Sequence, residues 1–403
     1  MIIKPSMRSN FFTNAHPLGS EQFVLEQIKE AKASPPFKGP KNVLIIGGSS
    51  GYGLASRIAL AFGANANTIN VSYESGPKGK RTGSAGYWNN LYFQKHANET
   101  NTTHIDFLGD AFGKETKAII TKTIKETFGH VDLVIYSLAA GGRRNEETGD
   151  IVQSHIKTMG EPIHGKTIDI KSEKLIDITI DNATDQEIKD TVFVMGGSDW
   201  QDWINYLDKA EVLSEQAKTI AYTYIGGPTT QSVYRHGTLG QAKTDLEQKA
   251  KTLNTLLANT YKGEALISSS KAVVSKASIF IPQMPIYVSC LYDVMLKADK
   301  HESILEHKYR LFKDMVYGED RLTDEENRIR VDHIEMEPSI QKATNDLMHS
   351  LDDNTLFDLK GTKHFLQQFY KISGFGYSNI DYEKDIDLDT LNTSLRDNAQ
   401  IIE

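Results

Sequence analysis

Val43-Leu44-Ile45-Ile46-Gly47-Gly48-Ser49-Ser50-Gly51-Tyr52-Gly53 opens the regular part of a 403-residue chain and decides how the rest is read. Four consecutive apolar residues suit a strand buried on both faces. Glycines follow at once, and residues 54–62 (Leu-Ala-Ser-Arg-Ile-Ala-Leu-Ala-Phe) then carry the apolar face of a helix. A strand, a Gly-x-x-x-Gly-x-Gly turn and a helix in direct succession form a phosphate cradle. Glycine lets the backbone turn sharply and approach a pyrophosphate with no Cβ in the way, and the helix N-terminus offers free N–H groups and a positive dipole end. Two other readings fit the same letters. Gly-x-Ser-x-Gly is also a hydrolase nucleophile elbow, with Ser49 as nucleophile. An elbow normally follows several strands, however, and Gly53 has no role in it. The other is a turn that holds no ligand.

Outward from this loop, residues 68–73 are β-rich, 86–98 helical, 103–108 strand-like, 111–128 helical, and Val131–Tyr136 is another strand. Such alternation predicts an α/β fold: a Rossmann-type, doubly wound parallel sheet with helices on both faces. The rhythm breaks over 141–190, a polar stretch whose Ile168-Asp169-Ile170 and Ile176-Asp177-Ile178-Thr179-Ile180 predict small β-hairpins beside the sheet. Alternation returns with a strand over 219–225, a helix over 239–258 and a strand over 265–269; helices are expected over 302–315 and 338–351, and a loose acidic tail from Asp381. The expectation is one enlarged Rossmann-type domain over 1–403, with an N-terminal extension (1–40), an insertion (141–190) and a C-terminal helical elaboration (290–403).

Composition narrows the function classes. Lys+Arg 45 against Asp+Glu 53 gives a net charge of −8, which argues against a nucleic-acid partner needing a basic face. The lone Cys290 forbids an intrachain disulfide and a thiolate cluster, and fits a reducing compartment; no metal site is expected. The first residues lack the apolar core of a signal peptide. The most apolar stretch, 277–296, is interrupted by Pro282, Gln283, Pro285 and Asp293, poor membrane material. A cytoplasmic, soluble protein without a membrane partner is expected.

Three features after later strands support a dinucleotide. Glu74 lies 21 residues past Gly53 at the end of the second strand, where a carboxylate accepts ribose hydroxyls and repels a 2′-phosphate, favouring NADH; Lys78, Lys80 and Arg81 stand nearby. Gly109-Asp110-Ala111 follows the third strand, fitting an adenine edge or a helix N-cap by Asp110. Small residues in Tyr136-Ser137-Leu138-Ala139-Ala140-Gly141 follow the fourth. The catalytic candidates come next, in Tyr234-Arg235-His236-Gly237-Thr238-Leu239-Gly240-Gln241-Ala242-Lys243. A nearby ammonium favours tyrosinate, so a Tyr–Lys pair suits acid/base work. Eight residues separate Tyr234 from Lys243. At about 100° per residue the two would face apart on one continuous helix. They converge only with Tyr234 in a preceding loop, which Gly237 as a break and Thr238 as an N-cap predict.

Tyr-x8-Lys, with Tyr224 ten residues before Tyr234, resembles the hallmark of FabV-type trans-2-enoyl-acyl-carrier-protein/trans-2-enoyl-CoA reductases, long relatives of the short-chain dehydrogenases. The resemblance extends to Met-Ile-Ile-Lys-Pro at the start, Ala15-His16-Pro17-Leu18-Gly19, Gly39-Pro40-Lys41-Asn42-Val43, Ser50-Gly51-Tyr52-Gly53, Gly109-Asp110-Ala111-Phe112, Tyr136-Ser137-Leu138-Ala139, Val273-Val274-Ser275-Lys276-Ala277-Ser278, Pro282 and Gly374-Phe375-Gly376. It implies reduction of trans-2-enoyl thioesters of CoA or acyl-carrier protein with NADH; separately, a monomer is expected. It further implies that Gly47, Gly48, Ser49, Ser50, Gly51 and Tyr52 hold the pyrophosphate, Tyr73 and Glu74 the adenosine ribose, and Asp110 and Ala111 the adenine. Leu138 and Ala139 would meet the nicotinamide-side ribose, and Val273, Val274 and Ser275 the nicotinamide; Ser275 stands where the family more often has Thr. Tyr234 would donate the proton, Lys243 bind the cofactor and Tyr224 touch substrate. Gly141-Gly142-Arg143-Arg144 departs from a usual Pro-containing stretch, and its arginines are candidates for carrier phosphates or a solvated pair. A carbonyl or 3-oxoacyl reductase and a non-catalytic NAD(H) sensor are the alternatives.

Overall fold

The computed structural model describes the backbone of residues 1–403 and the side chains of all but residues 353 and 354. In chain order the main elements are α1 (Pro17–Ala33), β1 (Asn42–Ile46), α2 (Gly51–Ile58), β2 (Asn67–Ser72), α3 (Ala85–Ala97), β3 (His104–Leu108), α4 (Lys114–Thr127), β4 (Val131–Tyr136), α5 (Asp185–Met195), α6 (Ser198–Lys209), β5 (Leu213–Thr223), α7 (Thr238–Tyr261), β6 (Glu264–Ser269), α8 (Met284–Lys297), β7 (Ile329–Arg330), α9 (Pro338–Ser350), α10 (Lys360–Lys371), α11 (Leu388–Arg396) and β8 (Ile401–Ile402). β1 is buried throughout, as its apolar run requires. Leu44 and Ile46 pack on one face with Val71, Val134, Trp200 and Trp203, while Val43 and Ile45 pack on the other with Leu133, Ile220 and Phe312.

The eight strands form one sheet in the order β7-β6-β5-β4-β1-β2-β3-β8, all parallel. Its central order is that of a Rossmann sheet, so the Rossmann-type expectation holds. The ligand crevice belongs where the order reverses, at the carboxyl ends of β1 and β4.

Several expectations are corrected. The helix expected over 54–62 starts at Gly51 and widens into a π-turn at Ala59–Gly63. Residues 111–113 precede α4, whose N-cap is Gly113, so Asp110 does not cap it. The insertion carries two hairpins, Gly142–Arg144 with Ile151–Gln153 and Ile163–Asp169 with Lys174–Ile180; the two isoleucine-rich pieces are opposite arms of the second. α5 begins inside that stretch, where Thr184 and Glu187 form a capping box. The tail after Asp381 is structured: α11 follows, and β8 extends the sheet beside β3, where Asp106 N–H donates to the Gln400 carbonyl at 2.9 Å. Cys290 is a free, buried thiol in the C-terminal core around α8. Among the described residues no helix is long and apolar enough to cross a membrane.

Candidate active site

The carboxyl ends of β1, β4, β5 and β6 open into one cavity of about 330 Å³. Its floor is the glycine loop. Gly47 has φ +92°, and a Cβ there would lie 2.5 Å from the Ser137 carbonyl oxygen, so only glycine lets the ends of β1 and β4 approach this closely. Gly48 N–H donates to Asn70 Oδ1 at 2.7 Å. Asn70 in turn donates to Asp106 at 2.7 Å, and Asp106 is paired with Arg57 of α2 at 2.7 Å, a fully buried chain that sets the loop's height. Ser49 Oγ donates to Glu74 at 2.6 Å, and the other Glu74 oxygen accepts from Ser84, the N-cap of α3. Ser50 is the N-cap residue of α2 but makes no side-chain cap bond, which leaves the positive helix end open towards the cavity. Ser49 is tied to Glu74 in the loop's own architecture, and among the described residues no histidine lines the cavity to complete a serine–histidine pair, which disfavours the hydrolase reading.

Tyr234 and Lys243 converge as the loop-then-helix reading requires. Tyr234 lies between the short helix Pro228–Gln231 and α7, and both residues line the cavity. Gly240 allows the convergence: a Cβ on it would collide with the Arg235 carbonyl, so the loop lies directly on the first turn of α7. Arg235 then clamps the loop to the helix through two bonds to Glu247, at 2.8 and 2.9 Å. Thr238 differs from expectation. The N-cap is Gly237, and the Thr238 hydroxyl bonds the His155 and Lys157 carbonyls of the insertion.

Lys243 Nζ donates to the Tyr222 carbonyl at 3.3 Å. Burial lowers its pKa to about 8, with Glu247 pulling it back up. The Tyr234 phenol is pushed well above its usual value by burial, eased by Arg235. Lys243 therefore does not acidify this phenol as expected, and a protonated Tyr234 is the form held at working pH. The Tyr234 side chain is buried and lines the cavity. The Tyr224 ring packs edge-on against it at 4.9 Å. Tyr224 Oη donates to Glu335 Oε1 at 3.1 Å.

Of the sequence candidates, Gly47, Ser49, Ser50, Gly51, Tyr52, Tyr73, Leu138, Ala139, Tyr224, Tyr234, Lys243, Val273 and Ser275 line the cavity. Tyr73 stands at its mouth, 85% exposed. Gly48 and Glu74 support it from behind, and Val274 faces the C-terminal core. Asp110 is exposed and accepts from Phe112 N–H at 2.9 Å, while Ala111 is buried; neither reaches the lining. Arg143 and Arg144 are not in the lining either. Arg143 lies over the Phe112 and Phe193 rings and donates to Ser198, and Arg144 donates to the Gly149 carbonyl. Sequence reasoning missed Glu335, which sits in no motif, and Asn70, whose only signal is a polar residue inside an apolar strand.

The chain matches three family profiles: the NAD(P)H binding domain of trans-2-enoyl-CoA reductase over residues 2–79, the trans-2-enoyl-CoA reductase catalytic region over 81–317, and the enoyl reductase FAD binding domain over 323–386. It is 42% identical to the trans-2-enoyl-CoA reductase (NADH) of Clostridium perfringens, over 97% of this chain and 100% of the relative. It is 44% identical to an enoyl-(acyl-carrier-protein) reductase (NADH) of Photobacterium profundum, over 97% of this chain and 98% of the relative. The crystal structure of the Clostridium acetobutylicum trans-2-enoyl-CoA reductase in complex with NADH superposes with TM-score 0.95 at 39% identity, covering 97% of this chain and 99% of that one. The Treponema denticola trans-2-enoyl-CoA reductase in complex with NAD gives TM-score 0.90 at 39% identity, covering 96% and 98%. The glycine cradle and open α2 N-terminus fit a nicotinamide dinucleotide. Two spaces border residues 323–386: one of about 100 Å³ at His364, Gln368 and Ile372, below the roughly 300 Å³ that cofactor sites need, and a groove of about 710 Å³ along 323–329, where Arg328 is already paired with Asp324, Glu326 and Glu247. With this cavity, fold and full-length similarity together, the chain belongs to the trans-2-enoyl-CoA reductase (NADH) family.

Proposed function

We propose that the chain reduces the C2=C3 double bond of trans-2-enoyl thioesters, carried by CoA or acyl-carrier protein, in fatty acid biosynthesis, with Tyr234 as proton donor. The observation that carries this reading is that Tyr234, a buried phenol kept protonated, lines the same cavity as Lys243 and the glycine loop. Gly47, Gly48, Ser49, Ser50, Gly51 and Tyr52 would hold the cofactor pyrophosphate, Tyr73 and Glu74 the adenosine ribose, and Asp110 and Ala111 the adenine. Leu138 and Ala139 would meet the second ribose, and Val273, Val274 and Ser275 the nicotinamide. Bound NADH supplies a hydride to C3 of the enoyl group. Negative charge then grows on the thioester oxygen, where a preorganised donor acts only as that charge appears. Tyr234, kept protonated by burial, donates to it and passes its proton on to C2. Lys243 holds the nicotinamide-side ribose. Ala277, Ser278, Ile281 and Met284 wall the acyl end.

The test is NADH consumption with crotonyl-CoA. Tyr234→Phe should lower kcat by at least about 100-fold, within the usual range for losing a general acid. Full activity in that variant would remove the assigned role. Turnover of a 3-oxoacyl thioester with crotonyl-CoA untouched would instead select the carbonyl reductase, and tight NADH binding without any turnover the sensor. kcat/KM for CoA and carrier-protein thioesters of several lengths identifies the carrier.

A further inference from the structure

Glu335 lies between β7 and α9 and is 1% exposed, a carboxyl enclosed by the wall of the active site. Its Oε2 accepts the Ala272 N–H at 2.6 Å, on the segment that lines the cavity after β6. Its Oε1 accepts two phenols, Tyr287 at 2.7 Å from α8 and Tyr224 at 3.1 Å. Lys271, Asp332 and Arg330 are the charged groups that act on it, and Tyr52 and Tyr292 the further phenols. Burial raises its carboxyl to about 7, so both forms are populated near neutrality.

Hydrogen-bond capacity determines where a proton on this carboxyl goes. The Ala272 N–H is a donor only, so the acid proton cannot sit between it and Oε2, and it belongs on Oε1. Tyr287 already accepts from Gln341 Nε2 at 2.9 Å and stays a donor. Besides Glu335, Tyr224 has Thr230 Oγ1 at 3.3 Å, a hydroxyl that lies 3.3 Å from the Gly227 carbonyl, and the Tyr287 phenol, whose lone pairs Gln341 already engages. Tyr224 is therefore the phenol that reverses.

We propose that Glu335 is a positioning residue for the reaction: ionised, it holds the Tyr224 proton; protonated, it donates to Tyr224 and releases that phenol's proton towards the thioester oxygen. The carboxyl proton comes from solvent, and no heavy-atom bond changes. The proposal rests on the reading of Tyr224 as a substrate-side group.

The experiment is kcat against pH with saturating NADH and crotonyl-CoA. For ionisations near 7 and 8, at Glu335 and Lys243, whose basic forms are inactive, wild-type kcat falls about twentyfold from about pH 6 to about pH 8. In Glu335→Gln the amide oxygen takes the Ala272 N–H, and Nε2 donates to Tyr224 at every pH. The fall should then shrink to the roughly twofold due to Lys243. Tyr224→Phe cannot report the Glu335 proton, so it should show lowered kcat and the same small ratio. A Glu335→Gln profile superimposable on wild type overturns the proposal while leaving Tyr224's role intact. If Glu335→Gln does not fold, a wild-type ratio in a slow Tyr224→Phe enzyme overturns it equally. Wild-type kcat and profile in Tyr224→Phe would mean that the substrate-side reading of Tyr224 itself fails.

Discussion

Glu74 shows how one side chain serves both local architecture and ligand choice. Its two oxygens receive the Ser49 and Ser84 hydroxyls, tying the end of β2 to the glycine loop and to the start of α3. In the proposed reading the same carboxylate repels a 2′-phosphate and keeps lone pairs for ribose hydroxyls. Glu74→Ala should raise KM for NADH about tenfold or more and shift the NADPH/NADH ratio of kcat/KM towards NADPH. It should also lower stability by about 1–3 kcal/mol, since two hydroxyls at a helix cap and a loop lose their partner. Kinetics with both cofactors and urea unfolding would measure these effects, and an unchanged cofactor ratio would refute the selectivity role. Its place beside the glycine loop was legible in the sequence because distance from the last loop glycine and position at a strand end coincide. Glu335 was not, because nothing in Asp332-His333-Ile334-Glu335 records that the carboxyl is enclosed by side chains from α8 and from the residue just past β5.

Among the elements, the pairing of loop and helix around Gly240 decides whether acid and lysine meet. A methyl group at that position must push the Arg235 carbonyl away, carrying Tyr234 with it while the Arg235–Glu247 clamp resists. Gly240→Ala should therefore lower kcat more than tenfold and stability by about 1–3 kcal/mol. NADH affinity, measured by cofactor fluorescence, should change by less than about threefold, because the glycine loop is untouched. Equal losses in affinity and kcat would show that the whole cavity had collapsed. The strands were readable wherever a run was apolar and uninterrupted, as in β1 and β4. The beginning of β5 was hidden, since the register shifts between Leu213 and Lys218 and Gln216 takes φ +64°, which breaks the period of two. β8 escaped notice because two residues suffice to extend an edge whose partner strand already exists. α1 left little trace either, with Val24, Ile28 and Ala31 as a sparse buried stripe among polar neighbours.

Across the whole molecule, buried histidines govern how stability depends on acid. Burial holds His16 at about 4 and His104, His301 and His307 at about 3, each below the ordinary 6.5 that the unfolded chain retains. The unfolded state thus binds more protons, so stability is complete above about 6.5 and is lost as pH falls, by about 2 kcal/mol per histidine at about pH 5. Glu335 works in the opposite sense between its unfolded 4.5 and folded value of about 7, where the folded state holds the extra proton, and offsets about one histidine. The net effect of these five groups is a loss of stability as pH falls from about 6.5 to about 5. His16 isolates one contribution cleanly. Its Nδ1 accepts Gly19 N–H at 3.2 Å as the N-cap of α1, and its Nε2 is buried without a partner. Asparagine preserves the cap and cannot take up a proton in this range. His16→Asn should stay within about 1 kcal/mol of wild type near pH 7.5 and gain about 2 kcal/mol on it at about pH 5. Denaturant unfolding across this interval measures both. Parallel curves for the two proteins would show that His16 protonates as readily folded as unfolded, and its burial would then have no energetic consequence in acid.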